Sequence, residues 1–177
     1  MSLVTRHRLF GLGLAAVVFA LDQWVKWLML MPLRLRQVGM IELVPIFRLT
    51  WTENYGVSLG MLTANSMEMR WLLVALTAGI ALVVLVWMLR EKALGDILAL
   101  ALVLGGALGN IRDRFTFGFV IDYADLHFGE WRPFLVFNLA DAAITIGVLI
   151  ILARSFLSRE KRPEPEIEAG APATESN

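Results

Sequence analysis

The sequence predicts a polytopic α-helical membrane protein with four transmembrane helices and a small extramembrane β-rich element in its first outer loop. Three observations carry that expectation. Hydrophobic residues make up 58% of the 177 positions and charged residues only 18%, too little polar surface to cover a soluble globule. Four apolar runs approach the ~20 residues that a helix, rising about 1.5 Å per residue, needs to cross a hydrocarbon core of roughly 30 Å. Between the first two runs, residues 32–69 scatter Arg34, Arg36, Glu42, Arg48, Glu53 and Glu68 among short apolar patches.

The same composition excludes several functions. A formal net charge of zero, with no basic stripe, argues against nucleic acid as a partner. The chain has no cysteine, hence no disulfide, thiolate nucleophile or thiolate metal site. His7 and His127 stand far apart without metal-ligand spacing. The expected chemistry needs no metal and no cofactor.

The first helix is expected at about 9–29. Its apolar start behind Arg6-His7-Arg8 resembles a signal-peptide core, but no small-x-small cleavage site follows, and apolar character resumes to Met31 before Pro32. Asp22 and Lys26 stand four apart and pair along one face, which reads as a structural ion pair near the membrane edge. Trp24 and Trp27 suit the headgroup level.

In the loop 32–69, residues 41–51 alternate loosely and are rich in β-branched and aromatic side chains, predicting short strands broken at Pro45. Asn54-Tyr55-Gly56 reads as a turn. A loop of this length is expected to be functional. The second span, about 71–89, contains no charge and is bounded by Arg70 and by Arg90-Glu91-Lys92.

The third span is expected at about 95–112 and is short. It carries Gly105-x-x-x-Gly109 with Ala101 one turn earlier, a small-residue ridge that admits a neighbouring backbone. Asn110, Asp113 and Arg114 form a polar end to it. The second outer loop, 113–133, holds Asp122 between apolar residues, then Asp125, His127, Glu130 and Trp131. Trp51, Trp71 and Trp131 are assigned to the interfacial belt.

The fourth span, about 134–154, has Asp141 as its single charge up to Ala153. A carboxylate inside a membrane helix costs about 2.5–3.5 kcal/mol on insertion scales and normally faces a protein interior or a watery cavity. Asn138 and Thr145 fall on the same face. Residues 159–177, acidic and rich in small residues and proline, read as a disordered cytoplasmic tail.

Four spans put both termini on one side. That side carries eight Lys and Arg within about 24 flanking residues and the opposite loops carry seven within about 60, a density that predicts cytoplasmic termini. Both long loops then face outward, and Asp141 is expected about 10 Å below the outer end of the fourth helix.

Asn54, Asn110, Asp113, Arg114, Asp122, Asn138 and Asp141 thus collect in the outer half. Two carboxylates sharing one proton supply a base for water and an acid for a leaving amine. Asp122 and Asp141 are the candidates, with Asp125 as the rival in the same loop. Asp113 and Arg114 read as a structural or substrate-orienting pair, the asparagines as support or as caps, and Asp141 paired to Arg114 is the structural alternative. Two other functions remain open on these residues: a proton or ion carrier built on Asp141, and a scaffold that binds without cutting.

The stretches LDQWVK (21–26), ENYGVS (53–58), GGALGNIRDR (105–114), GFVIDY (118–123) and FNLADAAITIG (137–147) are similar to motifs of the lipoprotein signal peptidases. The chain resembles these type II signal peptidases of bacterial inner membranes over nearly all of residues 9–154. The resemblance implies a four-helix aspartyl endopeptidase that cuts a prolipoprotein just before its diacylglyceryl-modified cysteine on the outer side of the membrane. Prolipoproteins and membrane lipids are the expected partners, and the chain is expected to work as a monomer. It implies catalytic roles for Asp122 and Asp141. Asp22, Lys26, Asn54, Gly56, Asn110, Asp113, Arg114, Asn138 and Ala140 match its other motif positions. It also implies an outer β-rich cradle and a mobile periplasmic helix within residues 33–68. Leu59 stands where the family commonly has phenylalanine, and Arg112 where it is often apolar; both bear on the shape of the lipid pocket.

Overall fold

The computed structural model describes residues 2–56, 67–129 and 131–159. Its elements run α1 (Leu3–Leu30), α2 (Leu35–Val38), β1 (Met40–Val44), β2 (Phe47–Asn54), α3 (Met67–Arg90), α4 (Leu94–Phe117), β3 (Val120–Leu126) and α5 (Leu139–Arg159). Among the described residues, four helices are long and apolar enough to cross a bilayer: Leu3–Leu30, Met67–Arg90, Leu94–Phe117 and Leu139–Leu157. The fold class is the one expected.

The central element is α4, which packs against α1, α3 and α5. Its glycines explain why. A Cβ on Gly105 would meet the Ala15 carbonyl oxygen at 2.6 Å, and one on Gly106 the Ala140 carbonyl oxygen at 2.5 Å, so α1 and α5 approach opposite sides of α4 at backbone distance. Leu100, Ala101 and Leu104 on α4 pack with Ala15, Ala81 and Met88 in one buried cluster. By contrast α3 buries only Ala81 and Met88 and is otherwise an exposed apolar surface, suited to lipid.

The strands form one antiparallel sheet in the order β1-β2-β3. Pro45 and Ile46 form the turn between β1 and β2, as the break at Pro45 predicted. Leu35 of α2 is wholly buried with Met29, Leu49, Phe119, Ile121 and Tyr123, tying the C-terminal end of α1 to the sheet.

Several boundaries differ from expectation, each for a physical reason. The β element was expected in the first outer loop alone, yet β3 lies in the second. Both faces of β3 are covered, so nearly every residue of Val120–Leu126 is buried and the polar alternation of a half-exposed strand is missing. The third helix runs on to Phe117, beyond the expected end at 112, because Asp113 and Arg114 point into the protein instead of marking a water boundary. It stops at Gly118, whose φ of +88° lets its N–H close on the Arg114 carbonyl. The fourth helix starts at Leu139, not 134. Phe137 instead exchanges backbone hydrogen bonds with Ala124 of β3, at 2.8 and 3.0 Å, and apolar content alone does not distinguish extended chain from helix. The first helix begins at Leu3, before the expected 9, with Ser2 capping Thr5. Trp51 lies in β2 and packs edge-on against Phe119. Leu59 and the tail from 160 onward lie outside the described residues.

Candidate active site

The late start of α5 sets the position of Asp141. It stands in the first turn of the helix, not a third of the way down, and forms a reciprocal cap with Asn138. The Asn138 side chain accepts the Asp141 N–H at 2.9 Å, while Asp141 Oδ2 accepts the Asn138 N–H at 3.3 Å. The positive end of the α5 dipole therefore faces the Asp141 carboxylate.

Asp122 reaches the same place from β3. Its Oδ1 accepts from Asn138 Nδ2 at 2.6 Å, and its Oδ2 accepts from Asn54 Nδ2 at 2.9 Å. Asn54 ends β2, and its own Oδ1 accepts the Gly56 N–H at 2.8 Å, closing the turn read from the sequence. Gly56 sits at φ +85°, a conformation that favours glycine, with Leu73 and the Arg114 guanidinium close against it. One buried asparagine, Asn138, thus touches both candidate acids.

Asn110 of α4 completes the ring. Its Nδ2 donates to Asp141 Oδ1 at 2.8 Å, and its Oδ1 accepts from Asn138 Nδ2 at 3.3 Å and from Lys26 Nζ at 3.2 Å. Lys26 and Asp22 pair as expected, at 2.9 Å, but they lie inside the bundle, 2% and 0% exposed, and not at an edge. Lys26 also binds Asp113 at 2.7 Å. Asp22 Oδ1 accepts the Ala140 N–H at 3.0 Å, so α1 caps α5 across the bundle.

Asp113 and Arg114 do not act as a pair. Asp113 turns to Lys26, to Gln23 and to the Ile121 N–H, while Arg114 turns toward Gly56 and faces the charges of Asp141, Asp122 and Asp113. Among the described residues its buried Nε has no hydrogen-bond partner.

Asp125 is excluded from the cluster. Three residues beyond Asp122 along an extended strand, it lies on the other face, where Arg48 donates to it at 2.7 Å and Thr50 at 3.3 Å. Burial works against its charge, yet Arg48 wins and holds the carboxyl below the usual range. Asp122 shifts the other way. Burial, with the nearby charge of Asp141, pushes it up to about 6 against the hydrogen bonds from Asn54 and Asn138.

Two contributors were not singled out from the sequence. Gln23 donates to Asp22, Asp113 and the Gly109 carbonyl and accepts from Arg112. Tyr123 accepts the Leu139 N–H at 3.2 Å, satisfying another free donor of α5, and burial raises its hydroxyl pKa. Both lie inside the quoted stretches LDQWVK and GFVIDY, but only the fold reveals their partners.

Comparison with known proteins agrees with this arrangement. The family model described as signal peptidase (SPase) II matches residues 14–157. A lipoprotein signal peptidase of Rhizorhabdus wittichii is 56% identical over 164 residues, covering 92% of this chain and 95% of the relative. One of Sphingopyxis alaskensis is 57% identical over 152 residues, covering 86% and 88%. A solved structure described as a bacterial membrane enzyme, 25% identical, superimposes with a TM-score of 0.74 over 90% of this chain and 94% of its own. With a family match across most of its length and relatives above half identity, the chain belongs to the signal peptidase II family.

Proposed function

We propose that this chain is an aspartyl endopeptidase of the bacterial cytoplasmic membrane that removes signal peptides from prolipoproteins, cutting before the diacylglyceryl-modified cysteine. The observation that carries the reading is Asn138, buried and hydrogen-bonded to both Asp122 and Asp141. Membership of a peptidase family supports it and sets aside the proton or ion carrier that Asp141 alone suggested.

The two carboxylates hold one proton between them. Asp122, pushed up to about 6, carries it. Asp141, held by the α5 N-terminus and by Asn110, acts as the base. A water between them loses a proton to Asp141 as its oxygen attacks the scissile carbonyl carbon, while the Asp122 proton hydrogen-bonds the carbonyl oxygen. Collapse of the tetrahedral species breaks the C–N bond and passes a proton to the leaving amine. The products are a carboxyl-ended leader and an amine-ended lipoprotein. Arg114, with its free buried Nε, and Gly56 lie beside the acids to receive the substrate backbone.

The diacylglyceryl group stays in the bilayer, and the substrate enters laterally between helices. Residues 1–158 form one membrane-embedded domain working as a monomer, with both termini cytoplasmic and the site toward the outer leaflet. The test is cleavage of a diacylglyceryl-modified prolipoprotein peptide by purified wild type, Asp122→Asn, Asp125→Asn and Asp141→Asn. Loss of activity at 122 and 141 with survival at 125 supports the assignment; a folded wild type that leaves the lipidated peptide intact overturns it.

A further inference from the structure

Lys26 sits deep in the bundle, touches neither candidate acid, and has no part in the steps above. Its ammonium has three protons, and each has an acceptor: Asp113 Oδ2 at 2.7 Å, Asp22 Oδ2 at 2.9 Å and Asn110 Oδ1 at 3.2 Å. The two aspartates are anchored in turn by Gln23, by the Ile121 N–H and by the Ala140 N–H. The ammonium is therefore fixed relative to α1, α4 and α5 together.

The contact with Asn110 has a chemical consequence. The two ends of a primary amide have nearly the same shape but opposite hydrogen-bonding character. In the observed orientation, Asn110 Oδ1 accepts from Lys26 and from Asn138, and its Nδ2 donates to Asp141 Oδ1 at 2.8 Å. Turned over, the amide would set its NH₂ against an ammonium and against the Asn138 NH₂, and its oxygen against a carboxylate. An uncharged neighbour in place of Lys26 would leave the 3.3 Å contact with Asn138 and the 2.8 Å contact with Asp141 to hold the orientation, and the second does so only while Asp141 is ionised, since a protonated carboxyl can also donate to an amide oxygen.

We propose that Lys26 is a positioning residue for the reaction: its ammonium fixes the Asn110 amide so that an N–H, and not an oxygen, faces Asp141. This rests on the aspartyl reading of the site. A donor there meets the carboxylate that takes the proton from water, whereas an oxygen there repels it. Losing the fixed donor therefore moves the acid limb of the pH–rate bell upward, and leaves the alkaline limb, set by Asp122, where it is. The charged and titratable groups around Asp141 are Asp122 and Tyr123 on β3, Asp113 and Arg114 on α4, and Asp22 and Lys26 on α1.

Lys26→Met removes a charge as well as a hydrogen bond and leaves two buried aspartates without their cation. The deciding variant is therefore Asp22→Asn with Lys26→Met, which removes one charge of each sign and leaves the cluster's net charge unchanged. An asparagine oxygen can still accept the Ala140 N–H. The experiment is cleavage of a diacylglyceryl-modified peptide across pH by wild type, single and double variants. In the double variant kcat is expected to fall ~10-fold or more and the acid limb of kcat/KM to move up by about one unit, the size of one lost charge-assisted hydrogen bond. A purely structural role would lower the amount of active enzyme and leave the midpoints in place. Midpoints do not depend on that amount, so a small folded fraction suffices to read them. Wild-type midpoints in the double variant overturn the proposal for Lys26; a wild type without a bell overturns the aspartyl reading itself.

Discussion

Replacing Asn138 separates two duties that the structure assigns to one side chain. Asn138 is fully buried; its Oδ1 caps the Asp141 N–H, and its Nδ2 bonds Asp122 at 2.6 Å. Asn138→Ala removes the cap, worth about 1 kcal/mol, and with it a charge-assisted bond worth ~2 kcal/mol. The first loss lowers the melting temperature by a few degrees. The second lets Asp122 drift and raises its pKa further above about 6, because a donor to the ionised form is gone. A displacement of ~1 Å between reacting groups costs on the order of 100-fold in rate. Asn138→Ser then discriminates. Serine caps about as well as asparagine, so stability returns to within ~0.5 kcal/mol of wild type, but its hydroxyl is too short to reach Asp122 and kcat stays ~100-fold down. Thermal melts in detergent beside cleavage kinetics of a lipidated peptide read both quantities. An Asn138→Ser enzyme with near wild-type kcat would refute the positioning argument.

Other substitutions and conditions test the remaining parts. Asp125→Asn should keep its cleavage rate within a few-fold but melt at a lower temperature; since the Asp125 pKa is lowered on folding, its stabilisation is present above the ordinary carboxylate pKa and is lost as pH falls through the folded value, so the stability gap between wild type and variant should close in acid. Loss of cleavage in a well-folded Asp125→Asn protein would contradict its exclusion from the site. Gly105→Val places a side chain against the Ala15 carbonyl and Val18, so the expected result is poor yield of folded protein; a variant that folds normally yet does not cleave would show that the ridge serves chemistry and not assembly. In wild type, kcat/KM should fall on the alkaline side with a midpoint at about 6, where free Asp122 loses its proton, and the corresponding limb of kcat should lie higher because a bound apolar substrate excludes water from the carboxyl. A flat profile from pH 4 to 8, about two units either side of that value, would argue against a shared proton.

The site also shows how a membrane protein keeps several buried charges. Lys26 sets its positive charge within 3 Å of both Asp22 and Asp113, and every acid in the cluster accepts hydrogen bonds from the protein. Three of the donors to these acids are backbone N–H groups at the start of α5 or β3. Substituting a single member of such a network exposes the desolvation cost of the others.

The four spans, the hairpin broken at Pro45 and the Asn54 turn were legible in the sequence, because apolar run length, β-branched alternation and turn residues are local properties that a short window carries. The two acids were found the same way: a charge in the span of residues 134–153 and one in an apolar loop stand out against their neighbours. What the sequence did not determine is how residues distant along the chain share a volume. β3 was hidden because tertiary packing covers both its faces and erases the alternation that marks a strand. The pairing of Phe137 with Ala124 decided where α5 begins, and so put Asp141 in a capping turn under Asn138. Adjacency suggested that Asp113 and Arg114 act together, but successive helical residues point about 100° apart. Only the packing of α1 and β3 around α4 gives one residue to Lys26 and the other to the site.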